Sequence, residues 1–320
     1  MSGYCFKEKY LDDAKQFVVR KIKGIYVPYV LFALPFLAMH NLFCRWHIYE
    51  PDWIYGWKDY LWEAGRIVTR MSMNEGLLGT FWFLKELFWG NLIFYATYNL
   101  VKKLIIKREE KGIGAEWLTV IGLFVLTEIA CIFHLRIPYF TVTQTSTYAA
   151  FFIAFGYLWR KSDWQTNRWW IYGTAIAAVV AEAYLIKGTV AIDAQTPLSL
   201  IYYAATAILG TMVIFNISKW LNSHLFGKMQ LAMLFTGEHT LSVMALHFSA
   251  FKLVSLEYIL VCGLPIERLV DFPAMLDFAR TGLGLILYTL VGLCVPLILA
   301  WLWVQIKAKI SLNAEQNEQK

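Results

Sequence analysis

The chain has 320 residues, of which 58% are hydrophobic and 16% charged, where soluble domains carry about a quarter charged. A mean hydropathy of +0.49 excludes a soluble globular enzyme and a disordered chain, and it argues against a β-barrel, whose strands alternate polar and apolar residues. The net charge of +6 is read as membrane orientation and not as a nucleic-acid footprint, so the expected fold class is all-α, a polytopic transmembrane helix bundle whose first partner is the lipid bilayer.

A bilayer core needs about 20 apolar residues per helix. Eight stretches of this chain qualify as full spans: 25–44, 81–101, 117–134, 140–159, 169–186, 198–218, 240–262 and 281–304. The stretch at 140–159 opens on the polar run TVTQTST, and the one at 169–186 is short. Before the first span the residues are polar and charged beyond Phe6, with no cleavable leader pattern.

The spans leave alternating connections whose basic content differs. Segments 7–24, 102–115, 160–168, 219–237 and 305–320 hold 19 of the 29 Lys and Arg residues, and the connections between them hold eight. Cytoplasmic loops carry the excess of Lys and Arg, so both termini are expected in the cytoplasm. The tail SLNAEQNEQK reads as a solvated end.

The longest outer connection, 45–80, is rich in Trp46, Trp53, Tyr55, Trp57, Tyr60 and Trp62. It reads as a segment lying on the membrane surface, or as a platform on which sugar rings stack. The cysteines Cys5, Cys44, Cys131, Cys262 and Cys294 are scattered without a CxxC pair, so neither a zinc site nor a disulfide framework is expected.

Charge inside a membrane is costly, at least about 2.5–3.5 kcal/mol at the centre on insertion scales, and calls for a partner or a wet cavity. Lys85, Glu86, Glu128, Glu182, His247, Lys252 and Glu257 fall in or beside spans. A rise of about 1.5 Å per residue places them between the midplane and the outer surface, which predicts a polar cavity opening outward. Each has a structural alternative: an ion pair for Lys85 with Glu86, pairing to another helix for Glu128, a bonded bundle histidine for His247 and an interfacial site for Glu257. Lys252 and Glu257, five apart, do not face one another. His239 reads as a helix cap, and His40, His47, His134 and His224, at span ends or in loops, attract no chemical reading.

Four motifs point one way. The chain begins MSGYCF and continues through a basic run to RKIKGIYVPYV; residues 79–88 read GTFWFLKELF, 147–161 read TYAAFFIAFGYLWRK and 237–247 read GEHTLSVMALH. In that order and spacing they resemble the bacterial acyltransferase-3 family of membrane proteins, in its fucose 4-O-acetylase-like branch, over about residues 1–304. The resemblance implies a ten-span bundle, here without its first span and most of its second, so that 1–6 would be the remnant of a span, 7–24 a basic cytoplasmic segment, 1–308 the acyltransferase-like domain and 309–320 a polar tail. Relatives carry an Arg and a His in the first span, and an Arg before the Pro-Tyr where this chain has Gly24. The sequence has no counterpart of that Arg and His, and the expectation is that Met1 is an internal methionine or the gene is truncated, with impaired or absent activity.

What the resemblance implies is transfer of an acetyl group from acetyl-CoA, a substrate and not a tightly bound cofactor, to a sugar hydroxyl of a surface polysaccharide or its lipid-linked precursor. Coenzyme A phosphates need cytoplasmic cations, which the 7–24 run and Lys102, Lys103, Lys107, Arg108 and Lys111 supply, with Arg20, Lys21 and Lys23 as the leading candidates. Attack by a hydroxyl needs a general base, for which His247 and Glu128 are the candidates near the midplane. Trp82, Lys85 and Glu86 are placed for the acceptor. The alternative from another class is a transporter or flippase of a glycan or lipid precursor, although no internal repeat of the transporter kind is present. No metal site is expected.

Overall fold

The computed structural model describes residues 2–108, 114–162, 172–177, 180 and 197–318. Among them the chain is all-helical, apart from one isolated antiparallel bridge between Ile137 and Val142. Five helices are long and apolar enough to cross a membrane: Ala14–Ala38, Ala115–Ile132, Leu200–His224, Thr240–Cys262 and Gly282–Ser311. The predicted stretches 81–101 and 140–159 are also helical, as α5 (Trp82–Arg108) and α7 (Gln144–Lys161), but their Lys, Glu, Asn, Gln and Thr residues make them more polar than those five. The predicted stretch 169–186, with Glu182, falls mostly outside the described residues.

The first membrane helix differs from its expected bounds at both ends. It starts inside the basic segment, where Asp13 caps it by accepting a hydrogen bond from Gln16 N at 2.9 Å. It runs through α1 (Ala14–Lys21), a π-helical turn (Ile22–Tyr26) and α2 (Val27–Ala38). It stops six residues short of 44. Pro35 supplies no N–H to the last turn, and His40 and Asn41 turn to polar partners in the loop beyond. A separate short helix, α3 (His40–Arg45), follows, then α4 (Trp57–Arg70).

The remaining helices are α6 (Ala115–Ile132), α8 (Pro197–His224), α9 (Lys228–Glu238), α10 (Thr240–Cys262), α11 (Leu276–Ala279) and α12 (Gly282–Glu318). The last carries helix through most of the expected polar tail, because Lys, Ala, Leu, Glu and Gln there are all good helix formers.

The chain divides into two compact units, Met1–Pro28 with Phe83–Leu225, and Tyr29–Trp82 with Phe226–Lys320. The first is built on α6 packed along α7, with α8 beside α6. Its core is aromatic: Phe6 meets Phe94 edge-on at 5.3 Å, and Phe17 stacks on Tyr95 at 4.5 Å. The Ser2-Gly3-Tyr4 turn lies directly on α7. A Cβ on Gly3 would come within 1.9 Å of the Ile153 carbonyl oxygen, and one on Gly156 within 3.0 Å of Tyr4 N, so two glycines make the joint possible.

The second unit is built on α10 packed along α12. Val254, Ile259, Leu269, Met275, Phe278 and Tyr288 form its core. A smaller cluster of Phe43, Cys44, Tyr49 and Leu77 joins the loop after α3 to the 3-10 turn Gly76–Phe81.

Candidate functional site

In the first unit the sequence neighbours Lys85 and Glu86 form an ion pair of 3.0 Å, and Glu86 is only 4% exposed. Ser146 Oγ donates to the other oxygen of Glu86, and Lys85 Nζ donates to Thr141 Oγ1 at 3.3 Å. Ser146 lies in the first turn of α7, behind the Thr143 cap. The carboxylate therefore sits where unpaired helix N–H groups favour negative charge. The polar run 141–147 thus serves as the partner of the WFLKE motif. Further along α5, Trp89 Nε1 and Asn91 Oδ1 are buried with no hydrogen-bond partner among the described residues. Trp82, at the start of the helix, is about half-exposed.

The Ser-Gly-Tyr turn and the FGYLWRK motif meet at the other end of α7. Arg160 donates to the carbonyl oxygen of Phe6 at 2.7 Å, Tyr157 donates to Glu8 at 3.2 Å, and Lys161 pairs with Glu116. A cavity of about 440 Å³ there is bounded by Phe6, Lys7, Glu8, Tyr157, Arg160 and Lys161. Of the three cations expected for coenzyme A, Arg20 lies over the Tyr10 ring at 4.4 Å and bonds its hydroxyl, and Lys21 lies over the Phe6 and Phe17 rings at 5.4 and 5.3 Å. Lys23 is exposed. The three cations are thus placed differently, and it is Lys7, from the head of the basic run, with Arg160 and Lys161, from the end of the FGYLWRK motif, that line the cavity.

In the second unit His247 turns back on its own helix. Its Nδ1 lies 3.0 Å from the carbonyl oxygens of both Val243 and Met244. Carbonyls only accept, so Nδ1 carries a proton and, in the neutral ring, Nε2 carries the lone pair. Thr80 Oγ1 donates to the same Met244 carbonyl at 3.0 Å, which joins the GTF residues of one motif to the GEHTLSVMALH helix of another. His239 stacks on Phe235 at 4.0 Å and bonds its carbonyl at 2.9 Å, at the turn from α9 to α10.

Glu128, the other candidate base, belongs to the first unit, and among the described residues neither of its buried carboxylate oxygens has a hydrogen-bond partner. Lys252 is 4% exposed and donates to the carbonyls of Leu269 at 2.7 Å and Asp271 at 2.8 Å. It ties a loop to α10 and opens on no polar cavity. A second cavity of the first unit, about 260 Å³, is mostly apolar, walled by Tyr4, Phe83, Phe152, Trp159 and Phe215 among others. Lys85, Glu86, Glu128, His247 and Lys252 do not line the two cavities of the first unit, and Glu257 is exposed.

His40 is the histidine that the sequence reading passed over. It is fully buried, with Nδ1 at 3.0 Å from Glu75 and Nε2 at 2.7 Å from the Trp53 carbonyl. The Tyr55 ring stacks on it at 3.7 Å with an interplanar angle of 3°. Beyond the end of α2, burial by itself would lower its pKa. The Glu75 carboxylate and the Trp53 carbonyl outweigh burial and hold the pKa above the ordinary histidine value. Both ring nitrogens face acceptors, which only an imidazolium satisfies fully. Nearby, Arg66 bonds Glu63 at 2.7 Å and Ser72 at 3.0 Å. The sequence signal for this cluster was weak, because Glu63 and Glu75 are two of five acids in the 45–80 connection.

Among the described residues, five helices long and apolar enough to cross a bilayer fit a multi-pass membrane protein. A family model described as an acyltransferase domain matches residues 1–304. The chain belongs to this acyltransferase-3 family and is a membrane acyltransferase by that membership. No curated protein and no solved structure matches it.

Proposed function

We propose that this acyltransferase moves an acetyl group from acetyl-CoA to a sugar hydroxyl of a surface polysaccharide or its lipid-linked precursor, as in the fucose 4-O-acetylase-like branch. In this reading α5, α7 and the stretch 169–186 cross the bacterial inner membrane with the five apolar helices, and both termini are cytoplasmic. The observation that carries it is the fixed tautomer of His247, whose Nδ1 is spent on the Val243 and Met244 carbonyls. That leaves Nε2 to take the proton of the acceptor hydroxyl. The freed oxygen attacks the thioester carbonyl, a C–O bond forms, the C–S bond breaks, and coenzyme A leaves as the thiol after receiving a proton.

The acceptor side is assigned to Trp82, Lys85 and Glu86, supported by the unpartnered Trp89 Nε1 and Asn91 Oδ1, which polar sugar groups would satisfy. The donor phosphates are assigned to Arg20, Lys21 and Lys23, together with Lys7, Arg160 and Lys161. Glu128 stands as the second candidate base.

The test is expression in bacteria that lack the native gene, with O-acetyl groups on surface polysaccharide as the readout. His247→Ala should lower acetylation by a factor of about 10²–10⁴, the usual contribution of a general base, while membrane levels of the protein stay unchanged. Full acetylation by that variant would overturn the assignment and move it to Glu128.

A further inference from the structure

The helix α4 is built inside out for a helix washed by water. Its buried positions include Glu63, at 5% exposure. Arg66 lies on the same side of the helix as Glu63 and bonds it. Ile67 is buried beside Glu63, and among the outward positions of α4, with Lys58, Asp59 and Thr69, stand large apolar side chains: Trp57 is 69% exposed, Leu61 64%, Trp62 61% and Val68 43%. Trp57, Leu61 and Val68 share one stripe at helical spacing, and Ile54 precedes them, also exposed. A soluble amphipathic helix has the opposite arrangement. Outward tryptophans with cations beside them are the composition of a helix lying in a membrane interface. Lys58 sits over the Trp57 ring at 5.7 Å and Arg70 over the Trp62 ring at 5.6 Å.

The depth of α4 is also fixed. Asn41 lies three residues beyond Ala38, the last residue of the first membrane helix. Its side chain accepts from Tyr55 N at 2.8 Å and donates to the Tyr55 carbonyl at 2.9 Å, just ahead of α4. After α4, Glu75 is held on His40, two residues beyond Ala38. Both ends of the segment are therefore fastened to the point where a membrane helix stops.

We propose that α4 docks its Trp57–Leu61–Val68 stripe onto the phospholipid bilayer at that end of the Ala14–Ala38 helix. The stripe then faces lipid, while the buried Glu63 and Ile67 of the same helix face the protein. The occupant is the bilayer itself and not a second copy of the chain, because the tethers set the stripe at the level where the first helix leaves the membrane. The inference rests only on that helix crossing the bilayer, and not on the acetyl-transfer assignment.

The test is nitroxide scanning of the full chain in phosphatidylethanolamine and phosphatidylglycerol vesicles, with the five native cysteines replaced. Labels at Leu61→Cys and Val68→Cys should collide with oxygen several-fold more than with an aqueous nickel chelate. A label at Asp52→Cys, exposed ahead of the helix, should show the reverse. Chelate reaching 61 and 68 as freely as 52 would overturn the proposal in favour of a water-facing, sugar-stacking surface. Exclusion of both reagents with dipolar broadening between labels would overturn it in favour of a second copy. If the cysteine-free chain does not fold, the native-cysteine protein is compared with a Trp57→Phe, Trp62→Phe double variant in vesicles of brominated lipid. The double variant should lose quenched fluorescence, and identical quenching of the two proteins would overturn the proposal.

Discussion

Glu86 and Glu75 are two buried carboxylates, each set against a cation, yet they do different work for their units. Glu86 takes its cation from the adjacent residue and its second donor from Ser146 across the unit, so that it links α5 to the first turn of α7. Glu75 takes its cation from His40, 35 residues away, and so fastens a long connection to the end of a membrane helix. The first cluster is held by an ammonium and the second by an imidazolium. Histidine is the side chain whose charge changes near neutral pH, so only the second of these two fastenings is expected to respond to modest changes in pH.

The sharpest way to break the comparison is Glu86→Gln. It leaves Lys85 buried without its counter-charge, and removal of one partner from a buried pair costs about 3–5 kcal/mol. The Lys85 side chain retains 16% exposure, which puts the expected loss at the lower end of that range. Denaturation in detergent micelles measures it, and a loss well under 1 kcal/mol would mean that Lys85 rehydrates easily. Ser146→Ala should come next. It strips Glu86 of a hydroxyl donor, and a hydrogen bond to a charged group is worth about 1.5–3 kcal/mol.

For the second cluster, His40→Gln should cost about 1–3 kcal/mol in the same assay, the range for leaving a buried polar group unsatisfied. The smallest effect is the pH response. The folded-state pKa of His40 lies above its unfolded value, so its contribution is fully present below the unfolded value near 6.5. It is then lost as pH rises through the folded one. The melting temperature should fall over that interval, and Glu75→Gln, which removes the carboxylate that favours the imidazolium, should flatten the fall. An equal slope in the two proteins would assign the pH response to another group.

The difference between the clusters also explains what could be read in advance. Lys85 beside Glu86 stands out in the sequence because two adjacent charges in an apolar stretch demand an explanation. Their partners Thr141 and Ser146 did not stand out, because hydroxyl residues at a helix start already have a sufficient local role as caps. His40 was passed over because nothing within helical reach of it is charged. Its partner arrives only after a loop and an amphipathic helix have folded back. The Ser-Gly-Tyr and FGYLWRK motifs were legible as motifs, but their contact through Gly3 and Gly156 was not, because close approach of two backbones leaves only a glycine as its trace.

Composition and the spacing of apolar residues determined by themselves that this chain is helical and able to cross a membrane several times, because a bilayer leaves the backbone few ways to satisfy its own hydrogen bonds. Motif order determined the family. Tertiary structure decided where the first membrane helix stops, since Pro35 weakens its last turn while distant Glu75 and Trp53 claim His40. It decided which nitrogen of His247 bears the proton, since two backbone carbonyls of its own helix set it. It also decided that the aromatic 45–80 connection divides, with Tyr55 turned inward onto an imidazole and Trp57 and Trp62 exposed. Each of these rests on contacts between residues far apart in sequence or on the orientation of one side chain, and neither is encoded in a run of apolar residues.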